Sequence, residues 1–268
     1  MNFTDRVILI TGASDGIGKR LALDLAARGA VIIASGRSPA RLEEVLTELR
    51  RASPRSIAIR CDVGSRTEVQ QMISQVFGQF SAIDILINNA GIGMRKPFLE
   101  TPLDIIEELM RTNYLGTVYC TYEVLPSMIA RGRGHIINIS SVAGHIGTLN
   151  MAGYCASKFA INGFSESLYH ELRPRGIAVS VVSPGPVKTA FNRSFAQTSP
   201  KSPETMIITP ESVSRRVMTI IENKRFEMIT PRSFALMCAI KRFMPGLFRA
   251  ISYRLFRSHV LPREKAVT

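Results

Sequence analysis

The chain has no tryptophan, and its four cysteines (Cys61, Cys120, Cys155 and Cys238) stand far apart with no Cys-x-x-Cys pair. That spacing argues against a disulfide framework and against a cysteine zinc site, and points to reduced thiols in a cytosol-like compartment. His135, His145, His170 and His259 show no ligand spacing, so no metal is expected. No window approaches the run of about 18–20 apolar residues that a membrane-spanning helix requires. The opening MNFTDRVILITG carries an apolar run too short for a signal-peptide core, and it leads straight into a glycine loop, so it reads as a strand. One region lacks acid altogether: from Met228 to Arg263 there is no Asp or Glu against seven Lys or Arg.

What is present fits one α/β unit, since 268 residues can bury a large core. The net charge of +13 is unevenly spread: residues 1–190 hold 20 basic and 16 acidic residues (+4), residues 191–268 hold 14 and 5 (+9). The basicity belongs to the C-terminal region and suggests an anionic surface there. Apolar strand-like runs fall at 7–10, 31–35, 57–61, 84–88, 135–140, 178–183 and 226–230. Amphipathic stretches lie between them, at about 16–29, 39–52, 65–80, 102–130, 153–173 and 211–223. Strands alternating with helices predict βαβ units, and unalternating apolar strands predict a sheet covered on both faces. The expected fold is a Rossmann-like, doubly wound α/β sheet of about seven parallel strands, plus a C-terminal helical extension. Residues 184–210, rich in Pro, Ser and Thr, read as a mobile loop.

Directly after the first run comes TGASDGIG, with Gly12, Gly16 and Gly18. Glycines let a βα turn approach a pyrophosphate closely, and a helix N-terminus offers N–H groups to the anion. Ser14, Asp15 and Ile17 complete this candidate loop. The end of strand two, where an acid would accept from the 2′-hydroxyl of NAD, reads SGRS instead. Arg37 would pair with a 2′-phosphate, so NADP(H) is the expected cofactor and NAD(H) the alternative.

Taken in order, TGASDGIG (11–18), CDV (61–63), NNAG (88–91), Asn113, ISS (139–141), YCASK (154–158) and SPGPVKT (183–189) resemble the short-chain dehydrogenase/reductase family over roughly residues 5–230. The resemblance implies a hydride transfer between nicotinamide and a carbonyl or secondary alcohol. Tyr154 and Lys158 are four apart and share a helix face. An ammonium near the phenol is expected to shift its pKa down toward the working range, making Tyr154 the general acid/base. By resemblance Ser141 hydrogen-bonds the substrate oxygen, with Ser140 its rival. Lys158 also holds the nicotinamide ribose, and Asn113 steadies a water in a proton relay. Asp62 and Val63 would meet the adenine, Asn89, Ala90 and Gly91 the adenosine ribose and sheet centre. Pro184, Gly185, Val187 and Thr189 would lie at the nicotinamide.

The implied pocket walls carry Met94, Val142, Ile146, Leu149, Phe191 and Phe195, which lean toward a hydrophobic substrate. Steroid, fatty acyl chain, sphingoid ketone and small xenobiotic stay open. A 3-oxoacyl reductase of lipid synthesis shares every motif, and a non-catalytic cofactor-binding module is the reading from another class. The expected division is a catalytic domain at 1–230, with a substrate loop at about 186–210, and a basic amphipathic extension at 231–268. In that extension Ile240, Met244, Leu247, Phe248, Ile251 and Leu255 cluster on one helical side, and Pro245-Gly246 should break the helix. Peripheral attachment to an anionic membrane and packing against protein are the competing readings, and nothing reads nucleic acid. The expected location is cytoplasmic, with peripheral membrane contact through the tail. The family resemblance implies a homo-oligomer, dimer or tetramer.

Overall fold

A computed structural model of the protein describes residues 3–191 and 207–260, with side chains as far as Leu255. Seven strands form one parallel sheet: β1 (Val7–Thr11), β2 (Val31–Gly36), β3 (Ile57–Arg60), β4 (Ile85–Asn88), β5 (Gly134–Ile139), β6 (Ile177–Pro184) and β7 (Glu227–Thr230), in the order β3-β2-β1-β4-β5-β6-β7. Every residue of β1 and β2 is buried, the pattern that helices on both faces demand. Alternate residues feed two cores. Ile8, Ile10 and Ile32 pack with α1 (Gly16–Ala26), α2 (Pro39–Ala52) and α7 (Pro210–Asn223). Leu9, Val31 and Ile33 pack on the other face with α3 (Arg66–Phe77) and α5 (Gly116–Arg131).

Strand order reverses beside β1, which lies between β2 and β4. A crevice therefore opens at the carboxyl ends of the central strands, where Thr11, Asn88, Ile139 and Pro184 end their runs. Sequence periodicity predicted one helix over 102–130. It is interrupted: α4 (Leu103–Leu109) runs into a π-helical turn at Met110–Leu115 before α5. The wide turn is held from outside the helix, by Asn113 bonding to the Ile92 backbone, and from within by Thr117 Oγ1 donating to Asn113 O at 2.9 Å.

The helix α6 (Ala152–Leu172) carries the Tyr–Lys pair. The C-terminal region forms α8 (Arg232–Phe243) and α9 (Pro245–Val260). They are separated at Met244, as expected for the residue before a proline. Neither candidate anchor helix spans: among the described residues no helix is long and apolar enough to cross a membrane. The ends of the expected substrate loop pair with each other, Lys188 N donating to Ile208 O at 2.8 Å and Ile208 N to Pro186 O at 2.9 Å. Phe195 lies outside the described residues.

Candidate active site

The β1–α1 turn is shaped by its glycines. Gly12 (φ +65°) and Gly16 (φ +57°) adopt the left-handed conformation that side chains resist. A Cβ on Gly18 would stand 2.2 Å from Gly12 O. Asp15 caps α1, its carboxylate accepting from Gly16 N at 2.6 Å, and lies 3.6 Å from Arg41. Ile17 packs against the core beneath. The turn is braced from β4: Asn89 Nδ2 donates to Thr11 O (3.0 Å) and Gly12 O (3.2 Å), and Thr11 Oγ1 accepts from Asn89 N and Ala90 N at 3.0 Å each. Asn89 thus ties two strand ends together. Thr189, from beyond β6, closes on the same turn, since a Cβ on Gly16 would meet Thr189 Cγ2 at 3.2 Å.

The end of β2 places Ser14 against Gly36, where an added Cβ would lie 3.0 Å from Ser14 Oγ. Arg37 follows, exposed, with Glu108 3.8 Å away. Asp62 caps its own turn by accepting from Gly64 N at 3.0 Å. Val63 is buried, and a Cβ on Gly116 would stand 2.7 Å from Val63 Cγ2. Pro184 pairs with Thr230, and Gly185 N donates to Thr230 O at 2.7 Å. Val187 is buried beside Ile208.

The four candidate catalytic residues converge. Tyr154 is 7% exposed and Lys158 4%. Burial raises the Tyr154 phenol to about 12, against a smaller lowering by its hydrogen bond with Ser141. Burial lowers Lys158 to about 8. The ammonium was expected to bring the phenol down; here it points elsewhere. Lys158 Nζ donates to Ile139 O at 3.0 Å and stands 5.8 Å from the Tyr154 ring centroid, so desolvation dominates the phenol. Ser141 Oγ accepts from Ala143 N at 3.1 Å, holding the turn after β5. Ser140 Oγ instead donates to Lys158 O at 3.3 Å, which turns it away from Tyr154. Asn113 is fully buried: its Oδ1 accepts from Ile92 N (2.8 Å), and its Nδ2 donates to Ile92 O (3.0 Å) and Ser157 Oγ (2.9 Å). A Cβ on Gly91 would meet Asn113 Oδ1 at 3.1 Å and Lys158 Nζ at 3.7 Å, so this glycine lets both polar groups pack close to the backbone.

Beside Tyr154 the walls are mixed, with Lys96, Thr101 and Asn150 set among apolar side chains. Met94, Phe98, Ile106, Leu109 and Met151 line a cleft that reaches Tyr154. Phe191 lies 6.2 Å from the Tyr154 ring. Val142 and Ile146 are buried in the turn behind Ser141, and Leu149 is half-buried. Spacing does not single out Ile106, Leu109 and Met151, which carry no motif, nor Thr11, which reads as a strand residue. Among the described residues no group of three His, Cys, Asp or Glu could hold a metal.

The sheet order, the crevice and the glycine turn define a Rossmann-like α/β protein of the dinucleotide-binding kind. The chain belongs to the short chain dehydrogenase family, whose sequence profile matches residues 6–200. It is 33% identical over 249 residues to epidermal retinol dehydrogenase 2 of Mus musculus, covering 91% of this chain and 80% of that protein. It is 34% identical over 260 residues to the ketoacyl reductase HetN of Nostoc sp., covering 94% and 90%. A short chain dehydrogenase/reductase from Burkholderia phymatum in complex with NAD superposes with a TM-score of 0.84 at 24% identity, covering 92% and 96%. Other structural neighbours were solved with NADPH or 5-hydroxy-NADP. The protein is therefore an oxidoreductase of this family, acting on alcohol or carbonyl groups.

Proposed function

We propose that the protein is an NADP(H)-dependent reductase of hydrophobic carbonyl compounds, run in reverse as an alcohol dehydrogenase. The observation that carries this reading is the buried cluster in which Ser141 is hydrogen-bonded to Tyr154 while Lys158 and Asn113 pack against Gly91 close by. The glycine turn fits a dinucleotide, because Gly12 and Gly16 hold positive φ and a Cβ on Gly12 or Gly18 would strike Ala90 or Gly12 O, which leaves a bare, tightly wound backbone for a pyrophosphate. Gly12 to Gly18, Asn89 to Gly91, Asp62 with Val63, and Pro184 to Thr189 would hold it, with Arg37 and Ser14 at the adenosine end. The nicotinamide, when bound, supplies or takes up the hydride.

The chain's own part is proton transfer and charge stabilisation. A phenol raised to about 12 is a neutral acid at physiological pH, ready to give its proton to a carbonyl oxygen. Ser141 hydrogen-bonds that oxygen as negative charge develops. Lys158, lowered to about 8 and held on Ile139 O, would return a proton to Tyr154 through an intervening hydroxyl or water. Asn113 fixes the Ile92 backbone and Ser157, and thereby the pocket wall and α6. The apolar side chains packed around Tyr154 (Leu109, Met94, Met151 and Phe191) support a hydrophobic substrate.

Residues 1–230 form the catalytic unit in this reading, and 231–268 add to it. The added helices expose Leu236, Phe243, Met244, Leu247, Ile251, Tyr253 and Leu255, together with Arg249 and Arg254 on α9. That mixture, free of acid, favours peripheral contact with an anionic lipid surface. The reaction is tested by following NADPH oxidation against acetone, cyclohexanone, acetophenone and all-trans-retinal. Tyr154→Phe should lose turnover by at least about a hundredfold and keep its affinity for NADPH. Near-parental activity in that variant refutes the assignment.

A further inference from the structure

We infer that Lys241, carried by the appended helix α8, is a positioning residue for the loop that follows Ser141. The inference rests on the reading that Ser141 serves the substrate oxygen. Lys241 Nζ donates to the backbone carbonyl of His145, and it lies 4.9 Å from the centre of the Phe159 ring on α6. His145 stands in the loop between Val142 and Ile146. Around it the loop is clamped from two sides already: His145 Nε2 is 2.9 Å from Ser183 Oγ of β6, and Asn162 Nδ2 of α6 donates to Gly144 O at 2.9 Å. Lys241 closes a third side, with a hydrogen bond strengthened by its charge.

The other end of the same helix face is seated on β6. A Cβ on Gly185 would stand 2.6 Å from Phe234 Cε2. Phe234 and Lys241 are seven residues apart, two helical turns, so they share a face about 10 Å long. Helix α8 thus bridges the Pro184–Gly185 corner and the loop behind Ser141. Ser141 Oγ itself accepts from Ala143 N at 3.1 Å, so a shift of this short turn moves the hydroxyl that meets Tyr154. A helix outside the sheet and its crossovers therefore sets the geometry of the pocket wall.

The experiment compares Lys241→Ala, Lys241→Met and Lys241→Arg with Arg242→Ala, an exposed neighbour on α8. Steady-state reduction of the ketone panel and amide exchange over residues 143–148 are read together. Lys241→Ala and Lys241→Met should raise KM for the ketone about tenfold, the worth of one charged hydrogen bond, with kcat reduced less. NADPH affinity should stay parental, exchange in the loop should quicken, and Lys241→Arg should restore most of the loss. Arg242→Ala should match the parent. Lys241→Met keeps the apolar stem over Phe159, so it reports on the hydrogen bond should Lys241→Ala loosen α8. Faster exchange with an unchanged KM makes Lys241 a mere tether and overturns the inference, as does exchange equal to that of Arg242→Ala. A parent that reduces none of the ketones refutes the proposed reaction instead; the exchange of the loop then decides alone whether Lys241 holds it.

Discussion

Replacing Lys158 with methionine should make the folded protein more stable at neutral pH and remove its turnover. The side chain is 4% exposed, and burial lowers its pKa from 10.5 to about 8. Holding the charge in that site costs about 3 kcal/mol, at about 1.4 kcal/mol for each tenfold change. Methionine keeps most of the volume and abolishes this cost. Against that, Ile139 O loses the donor now 3.0 Å away, a loss of about 1–2 kcal/mol. The net gain is about 1–2 kcal/mol, a rise in Tm of about 2–8 °C for a chain of this size. Between the folded pKa near 8 and the unfolded value of 10.5, the unfolded chain binds more protons than the folded one. The parent therefore gains stability as pH rises through that window, and Lys158→Met does not. The advantage of the variant is full below about pH 8, vanishes about one unit higher, and by about pH 10.5 has become a deficit equal to the lost hydrogen bond. Tyr154, raised to about 12, acts in the opposite direction at higher pH in both proteins and cancels in the comparison. Thermal unfolding without added nucleotide, at a series of pH values across the window, measures the difference. A variant less stable than the parent at neutral pH, or a difference that does not change with pH, refutes the electrostatic argument.

Arg37→Asp should shift the preference from NADPH toward NADH by at least about tenfold in kcat/KM, because a carboxylate repels a 2′-phosphate. Its present partner Glu108 is 3.8 Å away on an exposed surface, so folding should hardly notice; an unchanged cofactor ratio refutes the role. On vesicles of phosphatidylserine and phosphatidylcholine, the parent should co-sediment in a salt-sensitive way. The combination Leu247→Asn, Ile251→Asn and Leu255→Asn should lose that binding, since those residues are about half exposed or more. Equal pelleting of the two, or none of either, rules out lipid as the cover of α9.

The strands were legible because a parallel sheet buries both faces, and uninterrupted runs such as VILI have no other economical place. The catalytic pair was legible because four residues make one helical turn, so Tyr154 and Lys158 had to share a face. Spacing also favoured Ser141 over Ser140, and the geometry separates them by their partners: Tyr154 for one, the Lys158 backbone for the other. The π turn at Asn113 was not legible, since its cause is the Ile92 backbone 21 residues away. Periodicity foretold the helices after Pro231 and the break before Pro245, but not where α8 docks. That docking depends on Gly185 lacking a side chain opposite Phe234, and on one backbone carbonyl turned toward Lys241. Local pattern specifies an element; its seat is written in pairs that only the tertiary structure brings together.

The same distinction bears on the direction of the proposed reaction. Sequence spacing places an ammonium near a phenol and suggests a phenolate at working pH. Burial reverses the emphasis, holding Tyr154 protonated to about 12 and bringing Lys158 to about 8. At pH 7 the pair stores two protons. Forming the phenolate needed to deprotonate an alcohol there lies about 7 kcal/mol uphill, at about 1.4 kcal/mol for each unit below 12. Donating a proton to a carbonyl meets no such cost in preparing the acid. The raised pKa thus sets the form in which each direction starts, the phenol for reduction and the phenolate for oxidation, while the equilibrium belongs to the carbonyl–alcohol and nicotinamide couples.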